Sequence, residues 1–308
     1  MNFLTRIRYM KYAKNWLVFS VVLTLASLLA LGTVGLNKGI DFTGGVLMDV
    51  QFEKQLTLDE VRDSVSKAIG TGNIQVQNAE VKGAESPEAS EFFIRMPELN
   101  EEQRDALSAA LTELGTHKVI GEDGVSASVS SELAQRAILA IAIAALLQVI
   151  YITIRFQFKF GITAVLALLH DVVITLGLMA IFRVQINSAF VAAILTVLGY
   201  SMNDTVVVID RIRENLNNRR RGENLEEMTT RSMQEVVTRS LFTGVSVQMM
   251  LISMLIWGGD SVWDFAMTLL IGITAGTYSS IFIAAALWLF WAQWDEKRKK
   301  SMAKTARA

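Results

Sequence analysis

The chain of 308 residues contains no cysteine, which excludes disulfides and thiolate-held metal. No GxxxxGK[ST] segment occurs, so any work the protein does must draw on an ion gradient or on a partner rather than on a P-loop nucleotide site. The two histidines, His117 and His170, lie far apart in sequence, so no metal site or other cofactor is expected. The formal net charge is only −1, and without a basic excess no nucleic-acid partner is expected. Prolines number two, and the apolar residues are gathered into long blocks instead of the spacing of soluble amphipathic helices.

Hydrophobic residues make up 52% of the chain and the mean hydropathy is +0.37. Six segments reach the ~17 to 25 apolar residues that a helical membrane span requires: about 16–36, 133–154, 160–182, 186–209, 240–258 and 265–291. The expected division is a cytoplasmic N-terminus (1–15), a first span (16–36), an exported domain (37–132), spans two to six (133–291) and a basic cytoplasmic tail (292–308).

Charge distribution sets the expected sidedness. Arg6, Arg8, Lys11 and Lys14 precede the first span, which reads as a start anchor rather than a cleaved signal, with the N-terminus inside. Arg155 and Lys159, the Arg-rich stretch 211–239 and the tail Lys297 to Lys300 fall on the same side. The long segment 37–132 holds 18 acidic and 8 basic residues, a net charge of −10, and falls on the other side together with the short turns near Arg183 and Gly258 to Asp264.

Within the exported segment, 46–53 alternates like a strand, and 57–69 opens with Thr57 and Glu60 as a capping box before apolar residues at helical spacing. Segments 73–81 and 90–96 read as strands, 100–114 as an amphipathic helix starting at Asn100, and a last strand is expected near 125–130. The order βαββαβ predicts a ferredoxin-like α+β domain. Its acids are scattered over helix faces, with Gly39, Gly44 and Gly45 as hinge-like positions at its root.

The fourth span carries the most informative residue. Asn203 and Asp204 sit inside INSAFVAAILTVLGYSMNDTVVVI (186–209), and a carboxyl in hydrocarbon costs about 2.5 to 3.5 kcal/mol on insertion scales, so such an acid faces a partner or a wet cavity. Proton or ion handling is the default reading. Helical spacing places Val197, Tyr200, Ser201, Val207 and Val208 on the Asp204 face, so Ser201 and Tyr200 can offer hydroxyls to it. Span three contributes His170 and Asp171 in LALLHDVVITLG, and two acids at different depths suggest a relay. Span six runs Thr274, Gly276, Thr277, Tyr278, Ser279, Ser280, a polar stretch able to hold water or to pack closely. Arg239, opening span five, is the nearest candidate cation for Asp204; a proton moving on and off the acid would make or break that attraction.

The segment GYSMNDTVVVIDRIREN (199–215) closely resembles the signature of the SecF branch of the SecD/SecF family, paired membrane subunits that assist bacterial Sec protein export. GIDFTGG (39–45), with Gly39, Asp41, Gly44 and Gly45, resembles the glycine motif that follows the first span in both branches, and HDVVITLG and RSMQEVVTRSLFTG are similar to family segments. The resemblance covers nearly the whole chain. It implies one six-helix half of a resistance-nodulation-division unit, completed to twelve spans by SecD in the bacterial inner membrane, with both termini cytoplasmic. It further implies use of the proton motive force, with the SecYEG channel, accessory Sec membrane proteins, lipid and an unfolded translocating polypeptide as partners. In the family the acid of the Asn-Asp pair and the arginine opening span five are tied to proton conduction, here Asp204 and Arg239, with Asn203 and Thr205 as neighbours in the site.

Two other functions compete, besides a purely structural anchor that holds other Sec subunits without ion coupling. One is a proton-coupled subunit of the same superfamily moving lipid or a small solute, disfavoured by the modest first loop and by a single six-span half. The other is an intramembrane protease using Asp171 and Asp204, but no GxGD motif surrounds either acid and no glycine-flanked serine joins His170, so no enzymatic activity is expected.

Overall fold

The computed structural model describes residues 7–70, 74–79 and 89–305. Arg6, the ends of the expected strand 73–81 and the loop after it lie outside the described residues. The chain divides into two compact units, Lys38–Ile138 and the combination of Met1–Asn37 with Leu139–Ala308.

In the first unit, β1 (Gly45–Phe52), α2 (Leu58–Ile69), β2 (Gln75–Ala79), β3 (Ser90–Met96), α3 (Glu101–Leu114) and β4 (His117–Val125) follow one another after the membrane helix α1 (Ala13–Thr33). The strands form one antiparallel sheet in the order β2, β3, β1, β4, with Val46 opposite Met96 and Val50 opposite Phe92. Alternation along the strands puts Val46, Val50, Phe52, Phe92, Ile94 and Met96 on one face, where they bury against Val61, Val65, Leu107 and Leu111 of the two helices. Both helices start where their caps place them. The Thr57 hydroxyl accepts from the Glu60 N–H while the Glu60 carboxylate accepts from Thr57, and Asn100 and Gln103 repeat the arrangement.

The last strand corrects the sequence reading. It runs over His117–Val125, and residues from Ala127 onward already belong to a helix. As an edge strand it is exposed along nearly its whole length and interrupted by Gly121 and Gly124, so it lacks the one-sided alternation that marks β1.

Among the described residues, six helices are long and apolar enough to cross a membrane. They are α1, entered by a tight turn at Tyr9–Tyr12; α4 (Ala127–Arg155); α5 (Phe158–Ile181); α6 (Ser188–Asn217); α7 (Leu225–Trp257); and a composite of α8 (Asp260–Ser279), a π-helical turn (Ser280–Ala284) and α9 (Ala285–Thr305). The composite helix is the packing centre, touching α5, α6 and α7 along its length. By contrast α4, apolar along most of its length, has few buried residues within this chain.

Several helices outrun their apolar segments. α6 continues through Arg211 and Arg213 to Asn217, and α7 begins at Leu225, capped by Asn224 and Glu227, some fifteen residues before the expected start at 240. Charge pairing explains the extension: Arg211 binds Glu235 at 2.5 Å and Glu214 at 2.5 Å, and Asn215 donates to the Glu235 carboxylate at 2.7 Å. This end of the bundle gathers the basic connections. Lys159 pairs with Asp295, Arg219 with Glu296 at 3.0 Å, and Gln234 donates to the Ile7 carbonyl at 3.0 Å. At the opposite end, Asn37 donates to the Arg183 carbonyl at 2.8 Å, and Asp264 accepts from the Gln185 N–H at 3.1 Å.

In the connection between α6 and α7, Arg231 grips Glu223 through two donors at 2.9 and 3.1 Å, which holds the Glu223 carboxyl below the usual carboxylate range. Because the folded-state value is depressed, the contact stabilises the loop above the ordinary carboxylate range and is lost as pH falls through the folded value. We expect an NMR titration of the Glu223 side chain to have its midpoint below that of free glutamate, and Arg231→Gln to return it there; an ordinary midpoint in the unsubstituted chain would contradict the pairing.

Candidate functional site: two buried carboxyls at the central helix

Asp171 on α5 and Asp204 on α6 are both buried, Asp171 completely. They reach the same stretch of the central helix. Ser279 donates to Asp171 Oδ2 at 2.7 Å, and the next residue, Ser280, donates to Asp204 Oδ2 at 3.2 Å. These serines straddle the junction where α8 passes into the π-helical turn, a local rewinding often found at functional positions.

Ser201, three residues before Asp204 on the same face of α6, does not serve Asp204. Its hydroxyl donates to Asp171 Oδ2 at 2.5 Å, which corrects the expectation drawn from helical spacing. Asp171 Oδ1 faces His170 Nδ1 at 3.0 Å, and His170 Nε2 meets the hydroxyl of Ser20 on α1. One carboxyl thus joins four helices: α1, α5, α6 and α8.

Around Asp204 the surroundings are polar and incompletely bonded. The Arg239 charge acts on the carboxyl from α7, although its side chain is largely exposed, and the Ser240 hydroxyl lies beside the acid. The Tyr200 and Thr277 hydroxyls lie beside each other. By strict geometry the buried hydroxyls of Tyr200, Ser240 and Thr277 complete no hydrogen bond, although Ser240 lies close enough to Asp204, and Thr277 to Tyr200, to form one with a small adjustment. In hydrocarbon such orphan groups are costly, so three of them beside an acid mark a place where polarity is retained against packing.

The remaining expected residues are placed unevenly. Thr205 is buried beside Asp204 along α6. Asn203 is exposed on another face of α6, and the fold does not bring it to Asp204 within this chain. Thr274 accepts from Gln248 at 3.1 Å and donates to the Leu270 carbonyl at 2.6 Å, one turn away from Thr277 and apart from the acids. In the other unit, Gly39 caps the short helix Ile40–Thr43 that contains Asp41, and Gly44 and Gly45 follow with positive φ. A Cβ on Gly45 would meet the Met96 carbonyl oxygen at 2.3 Å, so this glycine is required by the close approach of β3 rather than by hinge motion alone.

Sequence reasoning missed Ser20 and Ser240. A signal for the first existed: Ser20, Thr24 and Ser27 recur at helical spacing in an otherwise apolar helix, and Ser20 and Ser27 are buried. The close approach that creates the site also has a sequence origin. Cβ atoms on Gly272 and Gly276 would lie 2.3 Å from a Val197 side-chain carbon and 2.9 Å from Ser201 Cβ, so glycine lets α8 sit directly on α6 and delivers Ser279 and Ser280 to the two acids.

Two family models match the chain: protein export membrane protein SecD/SecF, C-terminal, over residues 106–294, and the SecD/SecF GG motif over residues 29–55. Protein translocase subunit SecF of Sebaldella termitidis is 38% identical over 282 residues, covering 91% of this chain and 90% of that protein. The subunit of the same description from Vibrio alginolyticus is 37% identical over 295 residues, covering 91% of this chain and 88% of its own. Among solved structures, a Thermus SecDF described as a translocon-associated membrane protein superposes with a TM-score of 0.83 at 28% identity, covering 94% of this chain and 39% of that one. The chain therefore spans about two-fifths of that SecDF polypeptide.

The glycine contact is testable. Gly276→Ala is expected to push α8 from α6 and to cost about 1 to 3 kcal/mol, read as a lower thermal unfolding midpoint in detergent; an unchanged midpoint would show that the contact is slack.

Proposed function

This chain belongs to the SecD/SecF family of protein export membrane proteins, and from that premise we propose that it couples the proton motive force to protein translocation through Asp204. As a family member with six apolar helices it is a multi-pass inner-membrane protein that acts as an accessory subunit of Sec translocation. The observation that carries the coupling is the burial of Asp204 within an apolar span, hydrogen-bonded by Ser280 and surrounded by the buried hydroxyls of Tyr200, Ser240 and Thr277, with the Arg239 charge nearby but not in ion-pair contact.

Physically, Arg239 keeps its charge, so proton binding at Asp204 switches an attraction between α6 and α7 off and proton release switches it on. One proton crossing 100 mV releases about 2.3 kcal/mol before any pH gradient is added, enough to bias a conformational equilibrium by roughly fifty-fold. The movement would be delivered to the acidic α+β unit, for which the βαββαβ order and the strand order β2, β3, β1, β4 support a ferredoxin-like fold on the periplasmic side.

The partners follow from the family. SecD would supply the other six spans, and the SecYEG channel, accessory Sec proteins and an unfolded polypeptide would complete the working assembly. The exposed surfaces of α4 and of α7 leave room for such neighbours or for lipid. In this reading both termini are cytoplasmic, supported by the meeting of Ile7, Lys159, Arg219 and the tail helix at one end of the bundle, where the basic connections concentrate. Transport of a lipid or small solute is the weaker reading, since the relatives above are described as translocase subunits.

Hydrolysis is a further reading that the Ser20, His170, Asp171 line brings to mind. It is disfavoured because Ser20 lies mid-way along an unbroken helix, whose backbone N–H groups are spent on the helix and cannot cradle an oxyanion. We assign no enzymatic activity.

In vesicles holding the complex with SecD, Asp204→Asn is expected to reduce proton flux and export assistance together, by at least about a hundredfold in flux, while the protein still assembles. Persistence of both would make Asp204 a packing residue.

A further inference from the structure

We propose that Asp171 is a second proton-binding carboxyl, coupled to Asp204 through Ser201 and the consecutive pair Ser279 and Ser280. The inference rests on the coupling role of Asp204 and extends it to an acid in a different helix.

Hydrogen-bond capacity is the first consideration. Ser201 and Ser279 both donate to one oxygen of Asp171, Oδ2, at 2.5 and 2.7 Å, while Oδ1 takes the contact with His170 Nδ1. Both serine contacts treat the group as an acceptor, and the His170 contact does so in the tautomer that carries its proton on Nδ1, the role of an ionised carboxylate. Protonation converts one oxygen into a donor. If the proton sits on Oδ2, the two serine hydroxyls lose the acceptor they share and must turn elsewhere. If it sits on Oδ1, the His170 Nδ1–H loses its acceptor, or the imidazole must change tautomer and pass the change to Ser20 on α1.

Neither rearrangement stays local. Ser201 is three residues from Asp204 on the same face of α6, and Ser279 is bonded through the backbone to Ser280, the hydrogen-bond donor to Asp204. Both acids therefore bias the same two elements, α6 and the junction at which α8 enters its π-helical turn. A π-helical turn is held by i→i+5 bonds and differs from the flanking α-helix by one residue's winding, so a change of winding there would move Ser279 and Ser280 together relative to the two acids. Coupling by shared donors requires no continuous proton wire between the acids.

The charged and titratable groups that face Asp171 are few. His170 adjoins it on α5, Tyr278 on α8 has its ring 6.3 Å from the His170 ring, and on α6 the nearest titratable groups, Tyr200 and Asp204, interact with each other. α1 offers the uncharged Ser20, Thr24 and Ser27, and Arg239 acts on Asp204 from α7. No arginine or lysine pairs with Asp171 among the described hydrogen bonds and ion pairs. A wholly structural cross-link between helices would be met as well by a neutral amide, whereas a second proton site requires a group that changes charge.

The test uses the chain purified with SecD in lipid vesicles, with a pH-sensitive dye to read proton flux and pH-jump infrared difference spectroscopy to read carboxyl C=O bands. Wild type is expected to show two carboxyl bands that respond to pH. Asp171→Asn removes one band, displaces the other and lowers flux by about a hundredfold or more. Ser279→Ala and Ser201→Ala, which remove only a hydroxyl, shift the Asp171 band and alter the pH profile of flux while Asp204 remains in place. Should Asp171→Asn fail to assemble with SecD, the two serine variants decide the matter alone. The proposal is overturned if these variants leave bands and pH profile unchanged, or if Asp171→Asn assembles and conducts as wild type. Asp204→Asn separates the two levels: flux lost there but intact in the Asp171 and serine variants overturns the second site and spares the first, whereas flux intact in Asp204→Asn overturns the coupling role itself.

Discussion

A carboxyl buried at membrane depth must be hydrogen-bonded, hydrated or neutralised, and the arrangement of this helical unit follows from meeting that demand twice. Asp171 and Asp204 lie on neighbouring spans, and neither helix alone can satisfy them. The central helix does so by presenting consecutive serines at the point where its winding changes. That in turn requires the helices to approach closely, which Gly272 and Gly276 permit by removing the side chains that would otherwise hold α8 off α6. Gly177 against Ser27 brings α1 to α5 in the same manner, within reach of the His170 contact with Ser20. Sequence, packing and site chemistry are therefore linked by small residues, since a bulkier helix surface would leave the acids without donors.

The two acids are served differently, and the difference suggests a division of labour. Asp171 is fully enclosed, with hydroxyl donors on one oxygen and an imidazole on the other. Asp204 has one serine donor of full geometry, an arginine charge near the bundle surface, and the buried Tyr200, Ser240 and Thr277 hydroxyls nearby, whose contacts are incomplete by strict geometry. A group with unpaired polar neighbours changes protonation with less structural resistance than one whose contacts are complete. Under the proposed coupling, Asp204 is the exchanging site and Asp171 the acid that registers the exchange through the shared serines.

Much of this was visible in the chain before folding. The six apolar runs each fall in a helix long and apolar enough to cross a membrane, and Thr57 with Glu60, and Asn100, located helix starts that the structure reproduces. The early start of α7 was hidden because residues 225–239 are polar and are stabilised by pairing with α6 and its connection, an interaction between distant residues. The edge strand β4 was displaced in the reading because exposure on both faces erases alternation. At the site, spacing identified the Ser201 face correctly but not which acid it serves, since that depends on how deeply α5 lies against α6. Asn203, next to Asp204 in sequence, is turned about 100° around the helix and is exposed within this chain.

Proton coupling is tested most simply by export of a polypeptide into vesicles that contain the Sec channel and SecD, with and without this chain, while an imposed proton gradient is first maintained and then collapsed. If Asp204 couples proton entry to translocation, the chain accelerates export when the gradient is present and the acceleration disappears on collapse. An equal acceleration with the gradient abolished would show that the chain assists export without drawing on protons, contradicting the coupling assigned to Asp204.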